Sequence, residues 1–174
     1  MKQLTQYIQE KLHISKFNNK YNYHPETRDE LKDLVDKLIE ERGNNANLND
    51  IDTSEITNMS NIFRDSEFNG DISEWDVSKV KHMNYMFYRS YFNGNISKWN
   101  VSNVEIMCGM FEESKFNGNI SKWDVSKVEN MSNMFRDSEF NGDISKWNVS
   151  NVKHMHYIFT GSSLEKNPPK WYKK

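Results

Sequence analysis

The chain has 174 residues, 36% of them hydrophobic and 28% charged, with a formal net charge of −2 and a mean hydropathy of −0.92. Lys and Arg together number 23 against 25 Asp and Glu, so no basic footprint exists for a phosphate backbone and nucleic acid is excluded as an expected partner. No run approaches the ~18 apolar residues of a membrane span, and one cysteine, Cys108, excludes an internal disulfide framework.

The N-terminal stretch MKQLTQYIQEKLHISKF lacks the apolar run and small-residue cleavage pattern of a signal peptide. The expected compartment is therefore the cytoplasm; a surface or secreted location would need another export route. Residues 4–14 read as a weak helix, and Tyr21 and Tyr23 as an extended piece after it. Residues 26–43 are a strong amphipathic helix. Pro25 precedes it, Thr27 and Glu30 make a capping box, and Gly43 closes it. Leu31, Leu34, Val35, Leu38 and Ile39 form its apolar face.

From residue 51 the chain repeats. Trp75, Trp99, Trp123, Trp147 and Trp171 stand 24 residues apart, with Ile51 continuing the series upstream. The same step relates Met59, Met83, Met107, Met131 and Met155, and then Phe63, Phe87, Phe111, Phe135 and Phe159. Asn-Gly recurs at 69–70, 93–94, 117–118 and 141–142. Residues 58–73, NMSNIFRDSEFNGDIS, return almost unchanged at 130–145, which points to growth by duplication of blocks.

Within one unit, Ile72, Trp75 and Val77 follow the apolar-x-x-apolar-x-apolar spacing of a leucine-rich-repeat strand. Val80, Met83, Met86 and Phe87 then share one face of a short helix or 3₁₀ segment. Asn93-Gly94 supplies a turn that tolerates positive φ. The expected fold is thus an α/β solenoid, a right-handed leucine-rich-repeat-like coil. It has a parallel β-sheet on one face, short helices or 3₁₀ turns on the other, and an N-terminal helical cap. The expected divisions are a cap over 1–47, a solenoid over 48–164 and a C-terminal cap over 165–174. The five units are 51–74, 75–98, 99–122, 123–146 and 147–170. In the last of them Pro168-Pro169 blunts the sheet edge, and just beyond it Trp171 caps the Trp column.

The pattern W-[DN]-V-S-[KN]-V-x-x-M-x-x-M-F-x-x-S-x-F-N-G-[DN]-I-S over 48–171 resembles the BspA-like leucine-rich-repeat family, a bacterial surface-protein repeat of about 24–26 residues. The helix at 26–43, the LNDIDTSEIT entry and the NPPKWYK ending also look like members from gut-associated bacteria and their mobile elements. The resemblance implies a leucine-rich-repeat-like solenoid and recognition of a protein or host surface, not catalysis.

The residues leave catalysis little foothold. His82 and His154 hold equivalent places three units apart, too far to share a metal, and no base stands ready to activate Cys108. No catalytic residue, metal or cofactor is expected. The Trp column reads as core rather than as a sugar-stacking stripe. Partner-binding candidates are Tyr85, Tyr88 and Tyr91, three apart on an outer turn of the second unit. A second set lies on the expected open sheet face, where Glu74, Lys98, Lys122 and Lys146 line up beside Asp76, Asn100, Asp124 and Asn148. The bland reading of that column is solvation, with Asn separating Asp rungs that would otherwise repel. The expectation is a monomeric, non-enzymatic protein-interaction scaffold. A bacterial surface adhesin and a mobile-element or phage-encoded inhibitor of a host protein stand as alternatives.

Overall fold

The computed structural model describes residues 20–173, and the expected helix over 4–14, with His13, lies outside them. Helix α1 runs Arg28–Arg42. The Thr27 hydroxyl accepts the Glu30 N–H at 3.2 Å, while the Glu30 carboxylate reaches back to the Glu26 N–H at 2.9 Å. That is one residue beyond the reciprocal bond of a capping box. Gly43, at φ +86°, ends the helix by donating its N–H to the Ile39 carbonyl at 2.8 Å. Leu31, Leu34, Val35 and Leu38 are buried.

α1 takes the place of one coil. It lies one repeat length upstream of residues 52–66, and the chain on either side of it pairs with the first coil. Tyr23 bridges Ile51 and Asn47 bridges Asp71, both in parallel sense. Downstream, parallel bridges link Asn58, His82, Ile106, Asn130 and His154 in one column.

The joints between coils are built from alternate peptide groups. In the second coil the N–H groups of Met83, Tyr85, Phe87 and Arg89 donate forward to the carbonyls of Ile106, Cys108, Met110 and Glu112 at 2.9–3.0 Å. The intervening N–H groups of Met86, Tyr88 and Ser90 close turns onto the carbonyl three residues back. Carbonyls of His82, Asn84, Met86 and Tyr88 accept from the first coil in the same way. Most backbone groups in this stretch therefore have a partner. Two residues per coil must be left-handed for the peptide planes to alternate so. They are Asn61 and Asp65, Tyr85 and Arg89, Gly109 and Glu113, Asn133 and Asp137, Tyr157 and Gly161, with φ between 50° and 74°.

This geometry overturns the α/β solenoid with a parallel β-sheet. Among the described residues there is one α-helix, one 3₁₀ turn at Ser163–Glu165 and isolated single-residue bridges, but no sheet. The expected strand around Ile72–Val77 is a pair of turns, closed by Trp75 N–H to Ile72 at 3.2 Å and Val80 N–H to Val77 at 3.0 Å. The expected short helix over Val80–Phe87 is the alternating ribbon just described, interrupted by left-handed Tyr85. A leucine-rich-repeat solenoid is not the description of this chain, and with no sheet among the described residues Pro168-Pro169 has no sheet edge to blunt there.

The 24-residue step itself is realised as stacked side-chain columns. Phe63, Phe87, Phe111, Phe135 and Phe159 stack with successive ring centroids 5.4, 5.6, 5.8 and 6.1 Å apart. Phe68, Phe92, Phe116 and Phe140 make a second column at 6.2–6.3 Å. Trp75, Trp99, Trp123 and Trp147 are 4–5% exposed, as core residues should be. Each Trp Nε1–H, Trp171 included, donates to the carbonyl 27 residues upstream at 2.8–3.2 Å. A buried Phe of these columns contributes about 1.5–3 kcal/mol. A single coil could not bury it alone.

The Asn-Gly pairs do different work from the positive-φ turn expected of them. Asn69, Asn93 and Asn117 accept the N–H of the Asn in the next coil through Oδ1 at 2.8–3.0 Å. Only Gly43, Gly109 and Gly161 among the glycines have positive φ. At Gly94 and Gly118 the need is space, because a Cβ would lie 2.7 and 2.8 Å from the rings of Phe92 and Phe116.

Candidate protein-interaction site

The ribbon face of the stack carries a cluster of aromatic and charged residues that breaks the repeat. Arg64 comes from the first coil, Tyr85, Tyr88 and Arg89 from the second, Glu112 and Glu113 from the third, and Arg136 from the fourth. Tyr85 and Tyr88 meet edge to face with centroids 5.9 Å apart. The Arg64 guanidinium lies 4.6 Å from the Tyr88 ring and 5.7 Å from Tyr85, and Arg89 lies 4.9 Å from Tyr88. Arg89 is itself held by Glu113, through Nε at 2.8 Å and Nη2 at 3.2 Å, while the Tyr88 hydroxyl donates to Glu113 Oε1 at 3.2 Å.

These contacts set the electrostatics. Burial pushes the phenols of Tyr85 and Tyr88 up. The hydrogen bond from Arg89 holds the Glu113 carboxyl below its ordinary value. Glu112 goes the other way, because burial raises it more than Arg136, 3.4 Å away, lowers it. Burial also raises the Cys108 thiol, which keeps it protonated rather than nucleophilic. Among the described residues no group of three His, Cys, Asp or Glu is placed to hold a metal ion.

The expected tyrosine trio divides. Tyr85 and Tyr88 are half-buried in the cluster, whereas Tyr91 is 57% exposed and stands apart from them, in the field of Lys115. Sequence reasoning missed Arg64, Arg89 and Glu113. The available signal was the 24-residue step between Arg89 and Glu113, which opposes unlike charges on adjacent coils.

The second expected set lies on turns, not on a sheet face. Asp76, Asn100, Asp124 and Asn148 each accept, through Oδ1, the N–H of the Ser two residues on, at 2.9–3.2 Å. One side-chain oxygen of each is thereby occupied in shaping the corner. Beside them Lys79 pairs with Glu55 at 2.7 Å and Lys127 with Asn103 at 2.6 Å, one coil upstream in each case. Glu74 pairs with Lys20 at 3.0 Å. Lys98, Lys122 and Lys146 are exposed and make no ion pair among the described residues.

A family model described as "Mycoplasma protein of unknown function, DUF285" matches residues 31–137 and again residues 90–174. No curated protein and no solved structure matches the chain. The family match replaces the resemblance to the BspA-like leucine-rich-repeat family, and the absence of a sheet removes the structural ground for that likeness. Among the described residues, no helix is long and apolar enough to cross a membrane.

Proposed function

We propose that this chain, which belongs to the DUF285 family, is a non-enzymatic protein-interaction scaffold whose partner meets the ribbon face around Tyr88. The observation that carries the reading is Tyr88 with the guanidinium groups of Arg64 and Arg89 both within 4.9 Å of its ring centroid. Arg and Tyr dominate the energetics of protein interfaces, because they combine broad apolar contact with directed hydrogen bonds. Here Glu113 and Tyr85 hold Arg89 and Tyr88 in place, and Asp65 and Asn61 hold Arg64, so a partner would meet side chains already ordered. Tyr91 extends the same coil outward and is free to contact a partner.

The test compares the wild-type chain with the triple variant Arg64→Ala/Tyr88→Ala/Tyr91→Ala as bait for affinity capture, with mass spectrometry of what is retained. None of the three is deep in the aromatic columns, so the variant should fold with an unchanged circular dichroism spectrum. Loss of specifically retained proteins with the folded variant is the expected result. Identical capture by both chains would rule the face out.

A further inference from the structure

The two ends of the ribbon are chemically opposite, although bonds flanking it, such as Lys81 N–H to Thr57 and Tyr91 N–H to Ser66, run the other way. All four inter-coil N–H groups in the ribbon point toward the C-terminal end, and all four matching carbonyls toward the N-terminal end, in every joint from the first to the fifth coil. The first coil therefore ends in an acceptor edge. α1 covers it, and Arg28 Nε donates to the Ser60 carbonyl at 3.0 Å. The fifth coil ends in a donor edge, at the N–H groups of Met155, Tyr157, Phe159 and Gly161. Gly161 is met by the Glu165 carboxylate at 2.9 Å. Among the described residues, no acceptor meets Met155 or Tyr157.

Just before this edge lies the Lys153 carbonyl, whose counterparts Thr57, Lys81, Glu105 and Glu129 accept from the following coil, but from Met155 to Gly161 the inter-coil groups are all donors, and that stretch selects its occupant. An ordinary strand edge presents N–H and C=O groups together and would place donors against donors. A second donor edge fails for the same reason, so two copies do not meet tail to tail. Carboxylates fit, as Glu165 already demonstrates. The surroundings agree in sign: Lys166, Lys170 and Lys173 are exposed about this end, with Glu165 the one carboxylate among residues 151–173, while Lys153 is paired with Glu129 at 2.9 Å. Tyr157 is 65% exposed there, although its equivalent Tyr85 is covered by the next coil.

The opposite end of the same chain carries the complement. The buried stripe of α1 faces the first coil, so its other face looks away from the stack. Asp29, Asp33, Asp36 and Glu40 line that face at helical spacing, all exposed. Asp29 and Asp36 pair with Arg28 and Lys32, while Asp33 and Glu40 make no ion pair among the described residues.

We propose that the acidic outer stripe of α1 docks on the donor edge of the fifth coil of a second copy, so that the chain associates head to tail. The contact is heterologous and does not close by symmetry, so association continues with concentration rather than stopping at a dimer. It rests on charges near solvent, and salt therefore weakens it.

Sedimentation velocity of the full chain tests this, from about 20 µM to about 1 mM protein, in about 20 mM and about 500 mM salt. The expected result is a sedimentation coefficient that rises with concentration at low salt and stays constant at high salt. Two variants then separate the surfaces: Asp33→Asn/Asp36→Asn/Glu40→Gln on α1, and His156→Glu/Lys166→Glu/Lys170→Glu at the donor edge. Each should be monomeric alone, and an equimolar mixture should form dimers and nothing larger, since one competent surface remains on each chain. A wild-type chain that stays monomeric at low salt overturns the proposal. So does association that ignores salt, a variant that still self-associates, or a mixture that forms no dimer.

Discussion

Tyr85 lies across the bare Cα of Gly109 in the next coil, so closely that a Cβ there would fall 2.2 Å from the Tyr85 ring. The column to which both belong otherwise holds Asn61, Asn133 and Tyr157. A bulky residue on one rung has thus been matched by an empty place on the next. Gly109→Asn should cost about 1–3 kcal/mol in urea unfolding while Tyr85 is present. In a Tyr85→Asn background that cost should shrink by at least about 1 kcal/mol, because both residues then resemble the Asn of other rungs. Equal costs in the two backgrounds would show that the two positions are independent.

Tyr157 occupies the same left-handed column with φ 57° and 65% of its surface exposed. It bears the strain of that conformation without the contact that Tyr85 receives. Asn tolerates left-handed backbone better than Tyr. Tyr157→Asn is expected to stabilise the chain by about 0.5–1 kcal/mol. A lower urea midpoint would contradict the assignment of strain.

Trp123 and Trp171 make the same indole bond to a carbonyl 27 residues upstream, at 3.2 and 2.8 Å. Trp123 is 4% exposed with a coil above it, whereas Trp171 is only half-buried at the end of the column. Trp123→Phe should cost about 2–4 kcal/mol, from a cavity and the loss of one of the two hydrogen bonds to the buried Ile96 carbonyl, which keeps the Trp99 N–H. Trp171→Phe leaves its Ile144 carbonyl open to water and should cost about 1 kcal/mol. The ratio of the two costs is the observable.

Acid and base behaviour follow from two kinds of carboxyl. The hydrogen bonds from Ser73 hold Asp71 below its ordinary value of 3.8, those from Ser126 do so for Asp124, and those from Ser145 for Asp143. A depressed folded value means stability that is present above about pH 4 and lost as pH falls through the folded pKa. Asp124→Asn keeps the turn, as Asn100 and Asn148 do, and should flatten part of that acid decline. Glu112 has the opposite sign, since burial raises it above 4.5. Its contribution is present below the unfolded value and lost as pH rises through the folded one. Glu112→Gln should therefore stabilise the chain at pH 7 and have no such benefit below about pH 4. Thermal melts across that range would show a uniform offset instead if the side chain did not titrate.

The period, the Trp and Phe columns and α1 were legible because each is written in side-chain chemistry. Trp at 24-residue intervals and a Thr27/Gly43-bounded amphipathic segment leave few alternatives. The backbone between them was not legible. Ile72-x-x-Trp75-x-Val77 buries the same three side chains whether the chain runs as a strand or as successive turns. The distinguishing signal was in the left-handed columns, where Asn61, Asp65, Gly109, Asn133, Asp137 and Gly161 favour positive φ. Tyr85, Arg89, Glu113 and Tyr157 in the same columns concealed it. The tyrosine–arginine cluster was half legible: the tyrosines stood out against the consensus, but Arg64 and Arg89 are ordinary surface residues until neighbouring rungs bring them over Tyr88.

The indole-to-carbonyl bond spans 27 residues at every rung, and the ribbon bonds recur with the same donors and acceptors at each joint. An interior coil outside the matched Tyr85–Gly109 pair can thus be excised or copied whole and the severed surfaces will still mate. Length is then adjustable in quanta without redesign of a core, and a gene built this way can drift by unequal exchange while its product keeps folding. The near-identity of residues 58–73 and 130–145 is the trace such an exchange would leave.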